Sequence, residues 1–214
     1  MDRAMWLTIL KQYRAIAVIR APDFAMGLQM AQAAVAGGFR IIEITWTSDR
    51  PAALVSHLRK MLGVDCWVGV GTVLTVAAMH EAIAAGAQFC FMPHTDAAMM
   101  TIAQSHGVLV IPGALTPTEI MAAWQLGADG VKVFPCEVVG GAAYIRHLQG
   151  PLSHIPLIPT GGITVESARE YLQQGAIAVG IASSLFPQQM VERHNWTEIQ
   201  ARSRRFIKSL HDGR

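Results

Sequence analysis

Short runs of Val, Ile, Ala and Phe alternate along the chain with longer stretches whose apolar positions recur at helical spacing. The runs predict strands at about 15–20, 40–45, 66–71, 88–93, 108–113, 130–134, 157–160 and 176–181. Helical patterns fill the gaps, clearest at 25–36, 76–84 and 118–126. Glycines punctuate this alternation: Gly38, Gly63, Gly86, Gly107, Gly127, Gly150 and Gly175 lie 20 to 25 residues apart. Most follow a helical stripe and precede an apolar run, the place of a left-handed residue that ends a helix. Thr116, Pro117 and Glu119 have the spacing of a capped helix start.

Seven such joints divide the chain into eight units, each long enough for one strand and one helix. The strands are nearly continuous apolar runs, as expected where helices cover the sheet. Repeated strand–helix units of this size predict an α/β fold, a (β/α)8 TIM barrel forming a single domain over residues 1–214. A doubly wound open sheet is the structural alternative. Residues 5–13 place Trp6, Ile9, Leu10 and Tyr13 on one helical stripe, which predicts an extra N-terminal helix across the barrel bottom. Residues 196–210 repeat the pattern with Ile199, Phe206, Ile207 and Leu210, as expected of a last outer helix.

Composition narrows the function classes. Of 214 residues, 52% are hydrophobic and 15% charged, the make-up of a core-rich globular chain and not a disordered one. A net charge of +2 gives no reason to expect nucleic acid or a membrane surface as partner. The start Met1-Asp2-Arg3-Ala4-Met5-Trp6 lacks the apolar core of a signal peptide, and no apolar run is long enough to span a bilayer. Cys66, Cys90 and Cys136 are an odd count without a Cys-x-x-Cys pair, which reads as reduced thiols in a cytoplasmic protein. Eight histidines show no ligand spacing, so neither a metal nor a cofactor is expected.

The candidate chemistry centres on Lys132, set between Val131 and Val133 in the sixth strand. Side chains alternate along a strand, so Lys132 and Phe134 point one way and the valines the other. A free lysine, with a pKa near ~10.4, is only about 0.04% neutral at pH 7. Burial against an apolar wall disfavours the charged form, and a neutral amine attacks ketones to form an imine. In the second strand Glu43 and Thr45 share one face, and Ile42 and Ile44 the other. If the isoleucines meet the helices, Glu43 faces inward. Strands two and six stand opposite each other in a barrel, so Glu43 and Lys132 are expected to meet across its axis. The plain structural reading is a buried ion pair, which adds little stability because both ions are desolvated.

A second constellation lies at the ends of strands seven and eight: Thr160, Gly161 and Gly162, then Ser183 and Ser184. In barrels of this class that is the usual phosphate site, built from loop amides. Thr72 ends the third strand and either binds a carboxylate or caps a helix. Arg20 ends the first strand and either holds an anion or lies at the surface. Pro93 ends the fourth.

In this order the motifs resemble one family across nearly the full length, the class I 2-keto-3-deoxy-6-phosphogluconate (KDPG) and 4-hydroxy-2-oxoglutarate (KHG) aldolases. The matching segments are Ala36-Gly37-Gly38, Ile42-Glu43-Ile44-Thr45, Gly69-Val70-Gly71-Thr72-Val73-Leu74, Ala85-Gly86-Ala87-Gln88-Phe89, Ile111-Pro112-Gly113, Val131-Lys132-Val133-Phe134-Pro135 and Pro159-Thr160-Gly161-Gly162-Ile163. The resemblance implies Lys132 as the Schiff-base lysine and Glu43 as the acid/base. It implies Thr72, Pro93 and Phe134 around the pyruvyl group, with Thr160, Gly161, Gly162 and Ser183 on the hydroxyl and phosphate side. It also implies a homotrimer, a keto-acid phosphate as substrate and no metal.

One position departs from the pattern. Many members carry an arginine four residues after the glutamate, where this chain has Thr47. Arg20, Arg50, or neutral donors such as Thr47 and Ser48 must then hold the substrate carboxylate. Two other functions share the phosphate cup: a phosphosugar epimerase or isomerase, which needs no imine, and a barrel that only binds a sugar phosphate.

Overall fold

The computed structural model describes residues 2–211. Its strands are β1 (Ala15–Ile19), β2 (Ile41–Thr45), β3 (Trp67–Gly71), β4 (Phe89–Phe91), β5 (Leu109–Ile111), β6 (Gly113–Ala114), β7 (Val131–Val133), β8 (Leu157–Pro159) and β9 (Val179–Ile181). The helices that alternate with them include α1 (Arg3–Tyr13), α2 (Phe24–Ala36), α3 (Pro51–Leu62), α4 (Val76–Ala84), α5 (Ala97–Ser105), α6 (Pro117–Gln125) and α7 (Gly141–Leu152). They continue with α8 (Ala168–Gln173), α9 (Gln188–Glu192) and α10 (Trp196–His211).

The strands pair in parallel and form a curled α/β sheet in two segments, β5-β4-β3-β2-β1-β9 and β6-β7-β8. The fifth expected strand, 108–113, is thus divided. Pro112 has no N–H to donate, so the ladder breaks there. Backbone bonds still link the segments. Lys132 N–H donates to the Pro112 carbonyl at 2.9 Å and Asp129 N–H to that of Val110 at 2.9 Å. At the other junction Ile177 N–H donates to Leu157 at 3.0 Å, and Thr160 bridges Gly180.

Strand alternation sorts side chains into two cores. Ile42, Ile44, Val68, Val70, Val131 and Val133 meet the helices. Ile16, Val18, Ile41, Phe89, Phe91 and Ile158 face the other way and gather on Trp6, Ile9 and Leu10 of α1. Trp6 stacks on Phe89 with ring centroids 5.1 Å apart, so α1 plugs one end of the inner core as its apolar stripe predicted. Asp2 caps this helix by accepting from Met5 N–H. At the other end of the chain, Ile199, Phe206 and Leu210 bury the inner face of α10, with Phe206 stacked on Phe39 at 5.8 Å.

Six of the seven glycine joints have the expected positive φ, from +64° at Gly63 to +108° at Gly38. Gly150 does not. It lies inside α7, which runs on to Leu152 although Pro151 interrupts its hydrogen bonding. Leu148 and Leu152 are both buried, four residues apart on one face, and their packing holds the extra turn. The capping box at Thr116 and Glu119 forms as read, with each side chain meeting the other's backbone N–H.

Candidate active site

Parity along two strands builds the centre of the site. On β2, Ile42 and Ile44 join the outer core, so Glu43 takes the inner face with Ile41. On β7 the outward valines leave Lys132 inside. Both polar side chains are buried, Glu43 at 2% and Lys132 at 5% exposure. The Lys132 Nζ lies 4.9 Å from the Phe134 ring centroid and 6.0 Å from that of Phe91. Phe134 is therefore the apolar wall beside the amine, as alternation required.

Burial pushes the Glu43 carboxyl above the usual carboxylate range, while Lys132 and, to a smaller degree, Arg20 pull it down. The two expected catalytic groups thus share one electrostatic environment. Glu43 Oε1 is buried and has no hydrogen-bond partner among the described residues. Leaving such an oxygen unmatched by the protein costs about 1–3 kcal/mol.

Gly71 makes this placement possible. It pairs with Thr45 on β2 and with Phe91 on β4, beside Glu43. A Cβ at position 71 would fall 1.7 Å from Glu43 Oε1 and 2.4 Å from its Cδ. Gly71→Ala is expected to displace the carboxyl, lowering stability by about 1–3 kcal/mol and turnover by roughly 100-fold. Denaturant unfolding and steady-state kinetics on one preparation check both. Nothing local to β3 signals this role, because the clash comes from a neighbouring strand.

Thr72 follows at the end of β3 with φ of +58°, a left-handed conformation that is rare for a β-branched residue. Holding it there costs about 1–3 kcal/mol. Thr72→Gly relieves that strain but adds freedom to the unfolded chain. Stability is therefore expected to stay within about 1 kcal/mol of wild type, and a roughly 10-fold fall in kcat/KM is the outcome expected of the substrate-binding role that the family resemblance implies for the Thr72 hydroxyl. Thermal melts and kinetics separate the two effects. Pro93, half-buried after β4, packs its carbonyl against Gly113, where a Cβ would come within 2.4 Å of it.

On the opposite arc, Thr160 is buried and held by backbone bonds to β7 and the segment after it: its N–H donates to Val133 at 3.0 Å and its carbonyl accepts from Cys136 at 3.1 Å. Gly161 and Gly162 turn with φ of +89° and +81°. The Glu137 carboxyl packs directly against Gly162, filling the space a Cβ would need. Nothing local to either segment signals this contact, which joins residues 25 positions apart. Ser183 is exposed, while Ser184 accepts from Val165 N–H at 3.0 Å.

A cavity of about 1170 Å³ collects three of the expected residues, Arg20, Thr47 and Ser183. Thr45, two positions beyond Glu43 on the same face, also lines it, with Met26, Met30 and Phe186 as apolar walls. The Thr47 hydroxyl lies 3.1 Å from that of Thr45. Thr72, Pro93, Phe134, Thr160, Gly161 and Gly162 stand outside this lining. Arg50 also lies outside the lining, where it pairs with Asp49 at 3.2 Å and sits 4.8 Å over the Phe24 ring.

The three cysteines are free and buried, and burial pushes the Cys136 thiol up to about 12. Among the described residues no group of three or more His, Cys, Asp or Glu side chains could hold a metal ion. No described helix is long and apolar enough to cross a membrane.

Comparison with known proteins supports the same chemistry. The family model for KDPG and KHG aldolase matches residues 7–202. A 2-dehydro-3-deoxy-phosphogluconate aldolase of Treponema pallidum is 31% identical over 199 residues, covering 93% of this chain and 94% of the relative. The KHG/KDPG aldolase of Escherichia coli is 29% identical, with 94% of each chain covered. Among solved structures, a KDPG aldolase from Legionella pneumophila superposes with a TM-score of 0.87 at 26% identity, covering 96% of this chain and 98% of the other. That structure holds pyruvate captured at low pH as a covalent carbinolamine intermediate. With a family model spanning most of its length, the chain belongs to the KDPG and KHG aldolase family.

Proposed function

We propose that this protein is a class I aldolase that cleaves 2-dehydro-3-deoxy-6-phosphogluconate to pyruvate and glyceraldehyde 3-phosphate, and 4-hydroxy-2-oxoglutarate to pyruvate and glyoxylate. The observation that carries this reading is the buried Lys132 amine sharing an inner face and an electrostatic environment with the buried Glu43 carboxyl.

Lys132 Nζ adds to the C2 ketone, and loss of water from the carbinolamine gives a protonated imine. The C3–C4 electron pair moves into the imine as the C4 hydroxyl gives up its proton, directly or through a water, to Glu43. The aldehyde leaves, a proton returns to C3, and water hydrolyses the pyruvyl imine to regenerate the amine. A carboxyl raised above its usual range suits both halves of this cycle, since it must accept a proton and give it back. Phe134 shields the imine from water on one side. Thr72, Pro93 and Phe134 hold the pyruvyl end in this reading. Thr160, Gly161, Gly162 and Ser183 hold the hydroxyl and phosphate end.

The backbone bonds joining the two sheet segments support a closed (β/α)8 barrel, one domain over residues 1–214. Family resemblance supports a homotrimer in the cytoplasm, and sedimentation velocity would show a trimer mass if that holds. The decisive assay is substrate cleavage: both keto acids should release pyruvate with one equivalent of aldehyde. Release of pyruvate from neither would overturn the assignment.

A further inference from the structure

We infer that Arg20 is the cation that recognises the substrate's phosphate and so sets the preference for the phosphorylated substrate over the unphosphorylated one; this rests on the aldolase reading above. Four observations carry it. Arg20 follows β1, where Ile16 and Val18 face inward, so alternation continues the inner row to position 20. Register fixes its neighbours. Val18 pairs with Glu43 and Ile19 with Ile44, which brings Arg20 level with Thr45. Ala17 pairs with Ile181, which brings Arg20 beside Ser183 and Ser184 on the strand that ends at the phosphate cup.

Arg20 and Ser183 line the same cavity together with Thr45 and Thr47, while Thr72, Pro93 and Phe134 of the pyruvyl end and Thr160, Gly161 and Gly162 of the phosphate end lie outside its lining. Arg20 has no hydrogen bond or ion pair among the described residues, while the rival Arg50 is held by Asp49 and Phe24. A guanidinium between Thr45 and Ser183 matches phosphate through paired N–H donors. Arg20 follows β1, which pairs with β9 leading to Ser183 and not with β3, β4 or β7, which lead to Thr72, Pro93 and Phe134; this favours the distal anion over the C1 carboxylate.

The test compares specificity constants for the phosphorylated keto acid and the same keto acid without its phosphate in wild type, Arg20→Gln and Arg20→Lys, because 4-hydroxy-2-oxoglutarate carries a distal carboxylate that the same guanidinium could pair with. In Arg20→Gln the phosphorylated-to-unphosphorylated ratio is expected to fall roughly 10- to 100-fold, the loss of one charge-assisted contact. Arg20→Lys keeps the charge but not the paired donors and should restore part of the ratio. Inhibition by inorganic phosphate should weaken in parallel. Using the ratio removes any effect Arg20 exerts through Glu43, because both substrates use that carboxyl. An unchanged ratio would overturn the inference, whether both constants fall together or neither falls. Failure of wild type to cleave either keto acid would instead overturn the aldolase assignment.

Discussion

Lys132→Met is expected to abolish pyruvate release, lowering turnover by at least about 10⁴-fold, because no other group supplies the imine nitrogen. The variant should nonetheless fold. Methionine has nearly the length of lysine and suits a site walled by Phe91 and Phe134. Removing one partner of a buried pair normally strands the other charge. Here the stranded group is Glu43, which burial already pushes toward its neutral form; without Lys132, its largest opposing influence, it keeps its proton. Stability is therefore expected within about 1–2 kcal/mol of wild type, as read from denaturant unfolding. Turnover reduced by less than 10-fold would remove Lys132 from the mechanism.

Glu43→Gln separates imine formation from cleavage. The amide keeps the shape but cannot accept the C4 hydroxyl proton, so turnover should fall roughly 10²- to 10⁴-fold while the lysine still reacts with pyruvate. The same variant has a stability signature. Because burial raises the Glu43 carboxyl, the folded protein retains that proton at pH values where the unfolded chain has released it. The folded state then binds more protons, and wild-type stability falls as pH rises from the ordinary glutamate value through the raised one. Glutamine has no proton to lose. Its melting temperature relative to wild type should climb across that interval and level off above it. A difference independent of pH would show that Glu43 is not perturbed in the fold.

The parts of the fold that could be read in advance were those set by local pattern. Ile42 and Ile44 flanking Glu43, and Val131 and Val133 flanking Lys132, fix which side chains face inward once the strands are assigned. The stripe of Trp6, Ile9 and Leu10 likewise announced the helix that plugs the inner core. What escaped depends on neighbours distant in sequence. Pro112 divides a strand whose apolar run looks continuous. Gly150 resembles its fellow joints, but Leu152 beyond it has a burial site and keeps the helix going. Gly71 matters because of a carboxyl on the adjacent strand, and Glu137 reaches Gly162 from the short 3-10 helix after β7. Arg20, Arg50, Thr47 and Ser48 all stood open as anion partners in the sequence; the fold places Arg20, Thr47 and Ser48 along one cavity and leaves Arg50 outside it, beside Asp49 and over Phe24.

The central claim concerns one nitrogen, and reductive trapping addresses it directly. Wild-type protein incubated with pyruvate and borohydride, then digested and analysed by mass spectrometry, should carry a reduced pyruvyl group on Lys132. Glu43→Gln should carry the same group, and Lys132→Met none. An unmodified Lys132, or a pyruvyl group found instead on Lys11, Lys60 or Lys208, would contradict the account.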